Sequence, residues 1–504
     1  MNDAPVQVQL ALISHTNSGK TTLARTLLGT DIGEVRDAAH VTLLSEMHPL
    51  LATASGDTLQ LWDTPGFGDS VRLLRRLGMA DSPIGWFLRE VLDRLRDRPF
   101  WLSQQALRTA RDAADVVLYL VNSAESPGDA GYLAAEMKIL GWLGKPVVVL
   151  LNQTGPPRPP PQEQAELMRW SRHLEDFPAV RKVLALDAFA RCWVHERVFY
   201  ESIGELVPVQ KAAGYARLRA AWDQANKARL AASMRLMAQQ LAAAAQDRQA
   251  VKPENRSLLN SALQATGLRK TGDLQRQDGA MVVLVERLNQ GIAQATRQLL
   301  SQHRLDPGEA SRINQRVREN FAVRAPVDKV QAGLLGALLS GAATGLSADL
   351  MAGGLTLGAG ALLGGVAGAL GFAGAAWGFN SSTARNQTTV QFTDDFLRTL
   401  LVASVLRYLT VAHFGRGRGN FAQSEAPAFW QTEVEQAVAA DGAAVSRLWE
   451  ILRRPVGPDC PDAPDVPDIA LAAVQAVLFR VTSSVLGQLY PAASLVPGTQ
   501  KPGP

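Results

Sequence analysis

The chain has 504 residues, more than the roughly 100 to 200 that one hydrophobic core usually organises, so two or three folding units are expected. With 47% hydrophobic and 19% charged residues and a net charge of +4, it is neither a disordered acidic chain nor a whole-chain nucleic-acid binder. Its two distant cysteines, Cys192 and Cys460, exclude a disulfide scaffold and imply a reducing compartment, and the opening MNDAPVQVQLALIS carries no secretory signal.

Residues 1–200 alternate short β-type runs with helical stretches, the pattern of a parallel sheet covered by helices. Strands are expected at Val6 to Ser14, Leu50 to Ala54, Thr58 to Asp63, Val116 to Asn122, Val147 to Asn152 and Val183 to Leu186. The turn-forming triplet Ser55-Gly56-Asp57 joins the second and third as an antiparallel hairpin at one edge. PPRPPP at 156–161 reads as a stiff surface loop.

After the first strand comes Ser14-His15-Thr16-Asn17-Ser18-Gly19-Lys20-Thr21-Thr22 and then an apolar helix start. That is the order of a Walker A loop, with Ser14 where the pattern has its first glycine. The backbone N–H groups of Asn17, Ser18, Gly19, Lys20, Thr21 and Thr22 are candidates to face phosphate at the helix N-terminus. Lys20 is placed to reach the β and γ phosphates and the Thr21 hydroxyl to ligate Mg²⁺. Asp63-Thr64-Pro65-Gly66 closes an apolar strand 43 residues after Lys20. An Asp there holds Mg²⁺ through water, and the Gly66 N–H senses a γ-phosphate.

These motifs resemble the Era-like group of bacterial P-loop GTPases over about the first 200 residues, and DTPGFGDS is also similar to a septin segment. The resemblance implies an α/β P-loop NTPase domain, mostly a parallel sheet with one antiparallel edge strand, that takes GTP and Mg²⁺. It further implies that Thr42, 22 residues beyond Lys20, is the switch I threonine closing over Mg²⁺ and γ-phosphate. Lys20, Thr42 and Gly66 are then the catalytic set, and Thr21, Thr42 and Asp63 the metal set.

Two departures from the family pattern bear on function. Its base-reading Asn-Lys-x-Asp is here Asn152-Gln153-Thr154-Gly155, which keeps Asn152 but replaces the packing Lys by Gln153 and the guanine-binding Asp by Gly155. Losing a buried bidentate acceptor removes base discrimination, so ATP stays open beside GTP. Asp187, in Ala185-Leu186-Asp187, is either a replacement carboxylate or a solvated strand-end residue. The second departure is Phe67, which follows Gly66 where a Gln would orient the attacking water, so slow hydrolysis is expected unless Arg36 or a dimer partner contributes. The 51 residues between Asp63 and Asp115, with Trp86, Phe87, Phe100 and Trp101, read as a helical insertion that is either a partner surface or an extra packed helical pair.

Residues 201–329 carry 20 basic and 12 acidic groups. A long amphipathic helix is expected over 208–247, where Tyr215, Leu218, Trp222 and Ala225, then Leu230, Met234, Met237 and Leu241, recur at helical spacing. Further helices are expected at 254–266 and 274–304. From 330 to 384 the only charge is Asp349, which divides an apolar stretch into Gln331 to Ala348 and Leu350 to Phe379. At about 1.5 Å per residue both pieces are long enough to cross a bilayer as helices. Gly341 and Gly345, then Gly360, Gly364 and Gly368, then Gly374 and Gly378 form a glycine-zipper pattern, and flanking Lys329 and Arg385 place both ends in the cytoplasm. A close-packed hairpin inside a soluble helical domain has the same composition. Residues 385–504 are expected to hold helices at 390–413, 427–453 and 469–490, with the proline-rich 455–468 between the last two.

The expected architecture is therefore the P-loop domain (1–200), a basic helical domain (201–329), a Gly-rich hydrophobic helical hairpin (330–384) and a C-terminal helical region (385–504). The expected function is nucleotide binding and slow hydrolysis by a switch at the cytoplasmic face of a bacterial inner membrane. A nucleotide-binding scaffold with negligible turnover, an ATP-utilising membrane protein and a cytoplasmic location are the alternatives. Nucleotide and inner-membrane lipid are the expected partners, with a homodimer or protein effector beside them. Nucleic acid ranks low, because the basic zone lacks aromatic-interleaved strands and zinc spacing.

Overall fold

The computed structural model describes residues 4–16, 18–28, 46–67, 69–77, 97–155, 157–186, 192–250, 270–305, 377–382, 387–413, 427–453 and 468–491. The chain divides into two compact units. The first comprises Met1–Ala228 with 412–425 and 486–504, the second 229–411 with 426–485.

The first unit is built on six strands: β1 (Gln7–Ser14), β2 (Glu46–Ala52), β3 (Thr58–Asp63), β4 (Val116–Asn122), β5 (Val147–Asn152) and β6 (Val180–Ala185). Their order is β2-β3-β1-β4-β5-β6, parallel throughout except for the β2–β3 hairpin at one edge, as the alternation and the Ser55-Gly56-Asp57 turn predict. The central strands are apolar almost without interruption because both faces are covered, and β5 is buried at all six positions. One face carries Ile13, Tyr119 and Leu151 against α2 (Ser70–Leu77), α3 (Arg98–Asp112), α4 (Leu133–Leu143) and α5 (Pro160–Leu174), the last contributing Trp170 to the same core. The other carries Leu10, Leu118 and Leu150 against α1 (Lys20–Leu28), α6 (Trp193–Gly204), which contributes Phe199, and the start of α7 (Val209–Gln246).

Two local readings need correction or refinement here. PPRPPP is not loop throughout: Pro160 and Pro161 open α5, since a proline in a first helical turn lacks only an N–H that would have no helical partner. In the insertion, α2 and α3 are helical as expected, and Phe100 is buried in the core beneath the Arg72 guanidinium, 4.0 Å from the ring centroid, so it forms no exposed partner surface. Trp86 and Phe87 lie outside the described residues.

The hairpin turn is tied to α7. The buried Asp57 carboxylate accepts two hydrogen bonds of 2.7 Å from the Arg217 guanidinium and others from the Val6 N–H and the Thr53 and Ser55 hydroxyls. Lys211, one turn and a half earlier, pairs with Asp115 at 2.7 Å. Between them α7 comes so close to the sheet that a Cβ at Gly214 would lie 1.9 Å from Val6 Cγ2. The predicted stripe on α7 is buried at Tyr215, Leu218, Leu230, Met234, Met237 and Leu241, whereas Asn226, not Ala225, fills the step between the two sets.

The second unit is mainly helical, with the second half of α7, then α8 (Lys270–Gln302), α9 (Asp394–Ala412), α10 (Ala428–Ala440), α11 (Gly442–Arg453) and α12 (Asp468–Leu489). The expected helix over 427–453 is two helices, broken at Asp441, whose N–H turns back to the Ala437 and Ala439 carbonyls. Beside these helices, as part of the mainly helical region expected, lies a small antiparallel sheet of order β7-β9-β8, formed by β7 (Arg248–Ala250), β8 (Trp377–Ser382) and β9 (Gln387–Phe392), which the sequence reading did not place. Trp377 to Phe379, expected as the end of the Gly-rich helix, belong to β8: once paired with Phe392, Gln391 and Val390 of β9, they satisfy their backbone in a ladder. The rest of the Gly-rich hairpin, and the expected helix at 254–266, lie outside the described residues. Among the described residues one helix, α12, is long and apolar enough to cross a membrane, and 44% of its most apolar stretch is buried inside the protein.

Candidate functional site

The phosphate loop joins the end of β1 to α1. Gly19 has φ +82°, and a Cβ there would stand 2.7 Å from Asn152 Nδ2, so this position needs glycine for both conformation and space. Asn152 is fully buried at the end of β5 and donates to the Ser18 carbonyl at 2.8 Å, bracing the loop against the sheet. The Ser18 hydroxyl donates to the His15 carbonyl at 2.9 Å. Ser14 is 1% exposed, and its hydroxyl also donates to the His15 carbonyl, at 2.7 Å. Ser14 ends β1 without a left-handed φ, so its backbone does not require the glycine of the pattern.

At the mouth of this loop three predicted residues meet. Lys20 Nζ lies 3.3 Å from Asp63 Oδ1, and the Thr21 hydroxyl donates to Asp63 Oδ2 at 2.9 Å. Lys20 is 8% and Asp63 3% exposed, so cation, carboxylate and hydroxyl sit together in a space largely closed to water. A carboxylate beside a hydroxyl is the hard-oxygen donor set that Mg²⁺ prefers. Gly66 packs against the Thr16 backbone, and the Phe67 N–H donates to the Ser14 carbonyl at 2.9 Å. The Phe67 side chain is fully buried in the core, so it offers nothing to an attacking water. Thr22 is buried in the first turn of α1, while Asn17, Thr42, Arg36 and Asp187 lie outside the described residues.

In the loop after β5, Gln153 has φ +60° and Gly155 φ +80°. An Asp at 155 would find open space but a backbone angle that side-chain-bearing residues seldom adopt, so the loop is shaped for the glycine it has.

Residues 177–453 match the family described as Domain of unknown function (DUF3482). The chain belongs to this family. Residues 9–153 match a second family, described as 50S ribosome-binding GTPase, so the DUF3482 region follows an N-terminal P-loop GTPase domain. Among solved structures, an Aquifex aeolicus Era variant bound to GDP and AlF4⁻ is 18% identical, covering 40% of this chain and 57% of that one, with a TM-score of 0.29. Era in complex with MgGDPNP and a segment of 16S ribosomal RNA is 18% identical over 40% and 58%, also at 0.29. SsGBP is 17% identical over 40% and 56%, at 0.24. The chain thus spans little more than half the length of each. No curated protein matches it.

A small open cleft beside the loop after β5 is lined by Thr154, Gly155, Arg158, Glu163, His195 and Tyr490 among others. The Arg158 N–H donates to Glu163 at 3.0 Å, and the Arg158 side chain pairs with Glu166, so both carboxylates face that arginine. Burial pushes the Glu163 carboxyl up and the His195 imidazole down to about 4. In the second unit burial and the Arg229 charge push His303 down to about 3. Each histidine therefore folds neutral and takes up a proton on unfolding below its ordinary value of about 6.5. The stability they contribute is complete above pH 6.5 and is lost as pH falls toward 4. Thermal denaturation should show a midpoint lower by a few degrees at pH 5 than at pH 7, roughly the response of domains this size to about 1 kcal/mol. His195→Phe, which keeps a ring of similar size, should reduce that difference.

Sequence reading singles out no partner for His15. The structure gives it one in Glu136, on α4, whose position in the chain carries no motif.

Proposed function

We propose that this protein binds GTP with Mg²⁺ and hydrolyses it slowly, acting as a membrane-associated molecular switch. The observation that carries the nucleotide reading is the meeting of Lys20, Thr21 and Asp63 at a loop braced by Asn152. Lys20 is placed to turn from Asp63 to the phosphates, and Thr21 and Asp63 to hold Mg²⁺, which would neutralise phosphate charge. Thr42 is assigned to close over the γ-phosphate. Slow turnover follows from the burial of Phe67, which leaves the residue after Gly66 without a polar side chain for water.

Membrane association rests on the uncharged, glycine-zippered composition of 330–384 beside a basic zone, which attracts anionic lipid. The low rank given above to nucleic acid has no structural finding behind it. The second matched family is named for 50S ribosome binding, so ribosomal RNA belongs among the ligands tested.

Calorimetric titration of the full chain with GTP, GDP and ATP, with Mg²⁺ and with a chelator, tests the first part. GTP and GDP should bind at least tenfold more tightly than ATP and lose affinity without Mg²⁺. Equal binding of ATP would move the assignment to an adenine-tolerant NTPase, and no binding of any nucleotide would end it. Phosphate release with and without anionic vesicles then separates a switch from a scaffold without turnover.

A further inference from the structure

Three donors from three elements converge on Glu136 of α4. His15 Nδ1 of the phosphate loop lies 2.7 Å from its Oε1, and the hydroxyls of Ser70 and Tyr119 donate to its two oxygens. Glu136 and Tyr119 are fully buried and Ser70 is 4% exposed. The His15 ring is also stacked on Tyr132, centroids 4.0 Å apart and planes 11° apart, which fixes its orientation. Burial and the neighbouring carboxylate push the Tyr119 phenol well above its usual range, so it remains a donor.

A carboxylate so far from water persists only where its oxygens are hydrogen-bonded, and a residue needed merely to fill this part of the core would be apolar. The positions of its partners say what the polar group is for. His15 lies in the loop that wraps phosphate, its backbone bridged in parallel to Phe67. Ser70 is the first residue of α2, four residues after Gly66. One side chain therefore holds both strands of chain that flank a γ-phosphate, while Tyr119 anchors it to the static sheet.

We propose that Glu136 is a positioning residue that couples the phosphate loop to the segment following Asp63-Thr64-Pro65-Gly66. The arrangement of that segment accompanying a triphosphate is then stabilised from the interior as well as by the nucleotide. This rests on the GTPase reading above. It also gives α2 two ways to be held, by the nucleotide at Gly66 and by Glu136 at Ser70.

The test compares full-length wild type, Glu136→Gln, Ser70→Ala, the double variant and Tyr119→Phe for affinity toward GDP and toward a non-hydrolysable GTP analogue. Glutamine keeps the volume of Glu136 but turns an N–H₂ toward a donor. Glu136→Gln and Ser70→Ala should hold GDP within about threefold of wild type and lose on the order of tenfold for the triphosphate analogue, with the double variant no worse than Glu136→Gln. Tyr119→Phe should lower the melting temperature while keeping the wild-type ratio. An unchanged ratio in Ser70→Ala overturns the proposal even if Glu136→Gln proves poorly folded. So does a loss of the ratio in Tyr119→Phe as large as in Ser70→Ala, because the cluster would then act only as core. Wild type that binds neither nucleotide is a different result, which fells the GTPase reading itself.

Discussion

Lys20→Ala is expected to weaken GTP and GDP binding by about 100-fold or more, equivalent to about 2.7 kcal/mol, because a charge-assisted contact to phosphate is lost in a site nearly closed to water. The same change has a second effect in the free protein. The ammonium 3.3 Å from Asp63 disappears, and removing one partner of a buried ion pair costs about 3 kcal/mol where the remaining charge cannot reach solvent. Thr21 still donates to Asp63, which places the free-protein loss below that figure. Calorimetry and thermal shift together separate the two. Saturating nucleotide should raise the wild-type melting temperature and leave that of the variant unmoved. A variant that binds within threefold of wild type would remove Lys20, and with it the phosphate loop, from the site.

Asp57→Ala is expected to destabilise the first unit by about 3 kcal/mol, read from urea unfolding. Asp57 is fully buried and collects the Arg217 guanidinium, the Val6 N–H and two hydroxyls, so its loss leaves several donors without an acceptor at once. Arg217 is 36% exposed and can turn to water, which keeps the effect near the lower end for a broken buried pair. The pH dependence has a definite sign. Arg217 holds the Asp57 carboxyl well below the usual carboxylate range, so its contribution is complete above about pH 4, the unfolded value, and drains away as pH falls below it. Wild type should therefore lose stability faster than the variant between pH 4 and pH 2. Parallel curves would mean that Asp57 is not the group that clamps the hairpin.

The central strands of the first unit were legible because a strand buried on both faces must be apolar at successive positions, and β1, β4 and β5 are three such runs. The loop from Ser14 to Thr22 was legible because phosphate binding needs neighbours in sequence. Glu136 was not, since its three partners come from β1's end, α2 and β4 and nothing local marks a carboxylate that will be buried. Nor was β8, because Trp377 to Phe379 continue an apolar run that reads as helix until β9 supplies a partner for the ladder. Asp441 broke an expected helix for the opposite reason: the hydrophobic spacing continues through it on both sides, and only the local backbone turn separates α10 from α11. At 152–155 the substitutions were plain in the sequence, yet the backbone supplies their meaning, with Asn152 kept as a brace and Gly155 at an angle few other residues adopt.

The small sheet has a topological consequence. β7, which precedes residues 306–376, is hydrogen-bonded to β9, which follows them. Arg248 and Arg453 reinforce the closure: Arg248 donates to the Arg453 carbonyl and Arg453 to the Phe392 carbonyl. The described chain on either side of residues 306–376 thus belongs to one hydrogen-bonded body. A single cut of the chain between 306 and 376 would therefore leave two fragments still joined through β7 and β9, so the two sides do not depend on covalent continuity there to stay together.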